Sequence, residues 1–153
     1  MYRRTHSPLK VPAGYADNIA MFEWNEKYAI GISSIDAQHK GLYAIGAELY
    51  TAMSTGKARE RMNSILARLV RYTDAHFEFE ERLLQLHHYP DFAAHKAKHD
   101  ALIKQVADFQ LDVQNGKIGV GIPLLKFVED WLTQHIGNVD RRYVPFVTAK
   151  AVA

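Results

Sequence analysis

Side chains that could bind metal ions recur in this chain at helical spacings. His76 and Glu80 are four residues apart, as are His95 and His99, so each pair lies on one face of a helix. Three further candidates stand alone in the chain: His39, His135 and Asp140. A donor set rich in histidine, with only two carboxylates, is typical of transition-metal sites. The residue types therefore predict a metal centre with nitrogen and oxygen ligands.

The composition narrows the class of protein. The 153 residues include no cysteine, which excludes disulfides, thiolate zinc sites, iron–sulfur clusters and a cysteine nucleophile. The net charge is +2, which is too balanced to indicate binding to nucleic acid or to a membrane surface. No apolar run approaches the roughly 20 residues of a membrane span, and no apolar stretch of a signal peptide follows Arg3-Arg4. We expect a cytoplasmic protein.

Four stretches show the apolar periodicity of amphipathic helices, and no strand pattern competes with them. The expected breaks and boundaries lie at Gly56, Tyr89-Pro90-Asp91, Asn115-Gly116, Ile122-Pro123 and Pro145. Asp91 is the expected N-cap of the third helix, and Pro145 the expected end of the fourth. Short loops join the helices, so neighbours should be antiparallel. The predicted fold is all-α, an up-down-up-down four-helix bundle.

Residues 1–20 lack this periodicity and contain Pro8, Pro12 and Gly14. We expect an irregular, flexible N-terminal arm at 1–20, followed by the four-helix domain at 21–148. The arm is an over-extended start if Met21 is the initiator. A docking segment is the alternative interpretation.

An antiparallel bundle brings the candidate ligands to one end, because residues early in helices one and three lie level with residues late in helices two and four. The early candidates are His39, His95 and His99, and the late ones are His76, Glu80, His135 and Asp140. Each histidine also lies on the apolar stripe of its helix, where a polar ring needs a partner. Burying seven such groups together without a metal ion would be costly. We therefore favour a metal centre over a set of hydrogen-bonded core residues.

This donor set can accommodate two metal ions. Two octahedral ions offer about twelve coordination positions. Five histidines, two bridging carboxylates and one bridging oxide or hydroxide fill about eleven of them, which leaves one position open for a small diatomic ligand. Neither an H-E-x-x-H nor an E-x-x-H motif is present. Their absence argues against a zinc protease and against the carboxylate-rich di-iron bundles.

Other polar and aromatic residues near these positions have simpler interpretations. The histidines and glutamates expected to be solvated are His6, His87, His88, Glu78 and Glu81. The residues expected to pack in the core are Phe77, Trp131, Leu132 and Ile136.

The spacing of the last two candidate ligands does not suit a regular helix. His135 and Asp140 are five residues apart, which places them roughly 140° apart around an ideal α-helix. Gly137 and Asn138, between them, are weak helix formers. We expect a widened, π-type turn that returns Asp140 to the face of His135. The alternative is a straight helix with Asp140 in solvent, paired with Arg141 or Arg142.

Taken together, these segments resemble the hemerythrin family over about residues 22–147. The matching segments are Trp24, YAIGI at 28–32, IDAQHK at 35–40, HFEFEE at 76–81, Tyr89-Pro90, HKAKH at 95–99, and Trp131-Leu132 through His135 to Asp140. Every one of the seven candidate ligands falls on this pattern.

The resemblance implies a four-helix bundle with a non-haem di-iron centre that binds O2 reversibly. On the matching positions it implies that one iron is bound by His95, His99 and His135, the other by His39 and His76, with Glu80 and Asp140 as bridges. O2 would bind at the open position of the second iron. We expect a protein that stores, transports or buffers O2 for a recipient such as an O2-consuming protein, and not an enzyme, because no general acid or base is evident beside that position. The alternatives are peroxide or nitric-oxide chemistry, iron-cluster repair, and an O2 or redox sensor module.

Overall fold

The computed structural model describes residues 19–117 and 119–148, and within these ranges the chain forms helices and no strand. Two short 3-10 helices come first, at Ile19–Phe22 and Glu26–Tyr28. After them come α1, Ser33–Ser54, α2, Ala58–Leu86, and α3, Phe92–Gln114. The predicted all-α, four-helix architecture is confirmed.

The fourth helical segment changes its hydrogen-bonding pattern along its length. It consists of α4, Gly121–Asp130, a π-helix, Trp131–Val139, a 3-10 helix, Asp140–Tyr143, and α5, Val144–Thr148. The predicted end at Pro145 is therefore wrong. Because Pro145 lies in the first turn of α5, after the chain has left the regular α-helix, its missing N–H removes no bond that a helix interior would need.

Most of the predicted helix ends are confirmed, and each has a local cause. Gly56 and Gly116 come after α1 and α3 with φ of +72° and +76°, a left-handed conformation that ends helices and that glycine adopts without a steric penalty. After α2, His88 takes the same role with φ of +53°. Asp91 stands at the N-cap of α3 but forms no capping hydrogen bond through its side chain.

Of the expected N-terminal arm, residues 1–18 lie outside the described residues, while Ile19 and Ala20 belong to the first 3-10 helix. The segment before α1 is joined to the bundle by polar contacts. The Asp36 carboxylate accepts hydrogen bonds from the backbone N–H groups of Ile30 and Gly31, at 2.8 and 3.2 Å. The Arg141 guanidinium donates to the Lys27 carbonyl at 2.6 Å.

The apolar interior has two parts. The larger cluster fills the bundle along all four helices. A smaller cluster closes one end and comprises Ile30, Ile35, Leu84, Tyr89 and Tyr143. The seven candidate ligands fall between members of these two clusters along the chain, so apolar side chains flank them on both sides. None of the described helices is both long and apolar enough to cross a membrane.

The N-terminal segment also packs closely on α1. The Phe22 ring is buried against Gly46, and a Cβ atom at position 46 would lie 2.5 Å from Phe22 Cδ1. Only glycine leaves room for the ring in this position.

We predict that Gly46→Ala destabilises the protein by about 1–3 kcal/mol, because the added methyl group displaces the Phe22 ring. In a Phe22→Ala background the same change should instead stabilise by up to about 1 kcal/mol, since alanine favours a helix over glycine. Urea denaturation of the four proteins measures both effects. An equal cost in both backgrounds would mean that Phe22 does not pack on α1.

Candidate metal centre

The structure brings all seven predicted residues together in the interior. Each of them is at most 6% exposed. Their ligand atoms form two groups, each with all atoms within 4.8 Å of one another. The first group is Glu80, His95, His99, His135 and Asp140, and the second is His39, His76, Glu80 and Asp140. Glu80 and Asp140 belong to both groups.

The Glu80 carboxylate divides its two oxygens between the groups. Its Oε1 lies 2.6 Å from His95 Nε2 and 3.1 Å from His99 Nε2. Its Oε2 lies 3.6 Å from His76 Nε2. A carboxylate in this position can bind one metal ion through each oxygen.

The Asp140 carboxylate is divided in the same way. Its Oδ1 lies 3.2 Å from His135 Nε2 and 3.3 Å from His95 Nε2. Its Oδ2 lies 3.2 Å from His39 Nε2. Both carboxylates therefore lie between the two histidine groups, with one oxygen toward each.

The hydrogen bonding of these atoms tests whether metal ions fit. His39 Nε2, His135 Nε2 and both Asp140 oxygens are buried without a hydrogen-bond partner, although they approach one another to about 3.2 Å. The ligand atoms of each group lie within 4.8 Å of one another, close enough for one ion to contact them all. Buried polar atoms without partners cost about 1–3 kcal/mol each. Ions bound between these atoms would satisfy them, so the donor set fits a pair of metal ions.

The π-helix places Asp140 in the centre. The backbone N–H of Asp140 donates to the carbonyl of His135, five residues earlier, in place of the usual four. The wider turn brings the two side chains to one face, and the Asp140 side chain is fully buried beside His39. The predicted π-type turn is confirmed, and the alternative of a straight helix with a solvated Asp140 is wrong.

Burial sets the protonation of the ligand atoms. Desolvation lowers the pKa of His76 to about 4, so at neutral pH this ring is uncharged and has a lone pair for a metal ion. Desolvation raises the pKa of Glu80, but the contacts with His95, His99 and His76 outweigh it and hold this pKa well below its usual range. Glu80 is consequently a carboxylate at neutral pH.

Two outer contacts fix the ring orientations of two candidate ligand histidines, His76 and His99. Gln38 Oε1 lies 2.6 Å from His76 Nδ1, and Glu81 Oε2 lies 3.3 Å from His99 Nδ1. In both rings, Nδ1 points away from the centre and Nε2 points into it. Partners of this kind select the tautomer and orient the ring toward a metal ion.

The prediction that Glu81 is simply solvated is wrong, since its side chain is only 17% exposed and contacts His99. The α-helix turns by about 100° per residue, so the residue after Glu80 still faces α3. Glu78 is 63% exposed and paired with Arg82, as expected of a solvated residue. His88 is exposed, whereas His87 is half-buried with a buried Nδ1 that has no partner. His6 lies outside the described residues.

Tyr143 is a site residue that the sequence interpretation missed. Its buried hydroxyl donates a hydrogen bond to Glu80 Oε2 at 3.1 Å. Burial, with the negative charges of Glu80 and Asp140, raises the pKa of Tyr143 far above its usual value. The hydroxyl therefore stays protonated and acts as a donor to the carboxylate. Its position three residues after Asp140, on the same helical face, is a signal that could have found it.

The four residues that were predicted to pack in the core do so. All of them are buried in the larger apolar cluster: Phe77, Trp131, Leu132 and Ile136. The Phe77 ring stacks on that of His99, with centroids 3.7 Å apart and planes within 3°. The centroid of the Trp131 ring lies 5.5 Å from that of Phe77. Such packing restricts the access of water to the ligand atoms.

The site and the fold both have counterparts among known proteins. The family model for the hemerythrin HHE cation binding domain matches residues 30–147. A bacteriohemerythrin of Methylococcus capsulatus is 35% identical over 132 residues, which are 86% of this chain and 100% of that protein. A bacteriohemerythrin of Pseudomonas aeruginosa is 34% identical and covers 84% of this chain and 83% of its own length. A crystal structure of wild-type hemerythrin, 35% identical, has a TM-score of 0.76 and covers 82% of this chain and 97% of its own.

We predict that Tyr143→Phe destabilises the metal-free protein by about 1.5–3 kcal/mol, the usual value for a hydrogen bond to a charged group. The Glu80 carboxylate would lose its hydroxyl donor while remaining buried. Tyr89→Phe is the matched control, because its ring lies only 6.2 Å from that of Tyr143. Chemical denaturation after removal of metal measures both variants. If the two were equally stable, the hydroxyl of Tyr143 would not support Glu80.

Proposed function

Because this chain belongs to the hemerythrin family, we propose that it holds two iron ions at the buried centre and binds O2 there reversibly. The observation that carries this proposal is the pair of ligand groups that share Glu80 and Asp140. One carboxylate oxygen toward each group is the arrangement that two adjacent ions require. Imidazole and carboxylate donors together suit iron in the two oxidation states that such a centre needs.

The proposed ligands correspond to the two groups. The first iron would be bound by His95, His99 and His135, the second by His39 and His76, and Glu80 and Asp140 would bridge them. A bridging oxide or hydroxide would complete the pair. The second iron has fewer protein ligands, so the open position is assigned to it. When bound, the iron pair supplies the electrons for reversible O2 binding.

The surrounding side chains favour binding over turnover. Phe77, Trp131 and Leu132 pack around the ligands and limit the water that could hydrolyse or protonate a bound ligand. The Tyr143 hydroxyl is already engaged with Glu80 and is a very weak acid in this environment. Cleavage of an O–O bond needs a proton donor at the bound ligand. A role in storing, transporting or buffering O2 is therefore preferred over catalysis.

We predict that Glu80→Ala lowers the iron content to one ion per chain or none, because one carboxylate contacts both groups. Glu78→Ala should leave the iron content at about two ions per chain, the number that the ligand count predicts, because Glu78 points to solvent. Metal analysis of both variants, purified from iron-rich medium, measures this. Equal loss of iron in the two variants would contradict the assignment of Glu80 as a bridge.

We expect that protein reconstituted with ferrous iron under anaerobic conditions binds about one O2 per iron pair, because the ligand count leaves one open position. The visible absorption that appears with O2 should disappear again when O2 is removed. Spectroscopic titration measures both steps. A stable content of one iron, preferential binding of zinc, or an irreversible oxidation at the first addition of O2 would overturn the proposed function.

A further inference from the structure

The outer nitrogens of two ligand histidines have chemically different partners. His99 Nδ1 lies 3.3 Å from a carboxylate oxygen of Glu81, and His76 Nδ1 lies 2.6 Å from the amide oxygen of Gln38. When Nε2 of each ring binds a metal ion, the ring proton must sit on Nδ1, from which it is donated outward. The first proton is thus donated to a negative charge and the second to a neutral dipole. The two histidine groups differ in their electrostatic support.

The charge of Glu81 is placed where it can act on the ring. His99 is fully buried, and Glu81 is only 17% exposed, so little water lies between them to screen the interaction. Lys96 Nζ lies 3.4 Å from Glu81, but it also lies 3.0 Å from Asp100 and is 47% exposed. An exposed lysine shared between two carboxylates offsets only part of the charge of either.

A carboxylate that accepts the Nδ1–H bond makes the imidazole a stronger electron donor at Nε2. A stronger donor stabilises the more positive, oxidised metal ion. An amide oxygen does this more weakly, because it carries no net charge. The charged partner, Glu81, contacts a member of the three-histidine group. The neutral partner, Gln38, contacts a member of the two-histidine group, to which the open position is assigned.

We propose that Glu81 is a positioning residue that lowers the reduction potential of the iron pair through His99. Gln38, being neutral, makes His76 a weaker electron donor to the iron than His99. This inference rests on the proposed function, because it concerns the same centre. It assigns a role to a residue that is not itself a ligand. The charge of Glu81, and not only its hydrogen bond, is the property that acts.

The test replaces Glu81 by an uncharged residue of the same shape. In Glu81→Gln an amide oxygen can still accept the Nδ1–H bond, so the geometry is kept and the charge is lost. We expect the ratio of reduced to oxidised iron at a fixed potential to rise at least tenfold, which is about 59 mV for a one-electron couple. Metal affinity, measured by competition with a chelator, should fall by about 10–100-fold. The control is Glu78→Gln, which removes an equal charge from the same helix at an exposed position.

The reciprocal variant, Gln38→Glu, should shift the potential in the opposite direction, because it adds a carboxylate behind His76. Potentials are measured by mediated spectroelectrochemistry. If Glu81→Gln binds iron and has the potential of the Glu78→Gln control, the inference is overturned, whatever its metal affinity. If Glu81→Gln fails to bind iron, Gln38→Glu decides: a lowered potential supports the inference and an unchanged one overturns it. Failure of the wild-type protein to bind two irons is a separate result, and it would refute the proposed function.

Discussion

The burial of five histidines and two carboxylates at one end of a small bundle is the constraint on which the structure depends. These groups are nearly or fully withdrawn from water, yet several of their atoms have no hydrogen-bond partner. Without ligands to satisfy them, such an arrangement opposes folding. With metal ions between them, the same lone pairs become favourable contacts. Two apolar clusters on either side hold the polar layer in place.

The backbone contributes to this layer at one unusual place. The π-helix at Trp131–Val139 brings Asp140 to the face of His135. It also sets the direction of the next turn, the 3-10 helix at Asp140–Tyr143, in which Tyr143 lies against Glu80. One local change of helical pattern therefore positions the Asp140 carboxylate and also the Tyr143 hydroxyl that donates to Glu80. Bulges of this kind commonly mark functional sites.

The two histidine groups differ in the number of their inward donors, three against two, and also in the outward partners of His99 and His76. Glu81 places a charge behind one group, and Gln38 places a neutral amide behind the other. Two ions bound in these groups would thus experience different fields. For a centre that is proposed to exchange electrons with O2, this asymmetry matters as much as the identity of the ligands.

The sequence by itself determined the fold class, the glycine ends of α1 and α3, the seven clustered residues and the need for a π-type turn. The helices, their ends and the π-type turn follow from periodicity, residue type and spacing along one helix, which are local properties. The clustering of the seven residues follows in addition from the short loops, which make neighbouring helices antiparallel. Only the tertiary structure showed that Tyr143 supports Glu80, that Glu81 backs His99 and that Pro145 lies within a helix. The first two depend on contacts between residues of different helices. The third depends on how the π-helix orients the turns that follow it. Spacing can place Tyr143 on the face of Asp140, but the packing of the helices decides which atom of the centre its hydroxyl reaches.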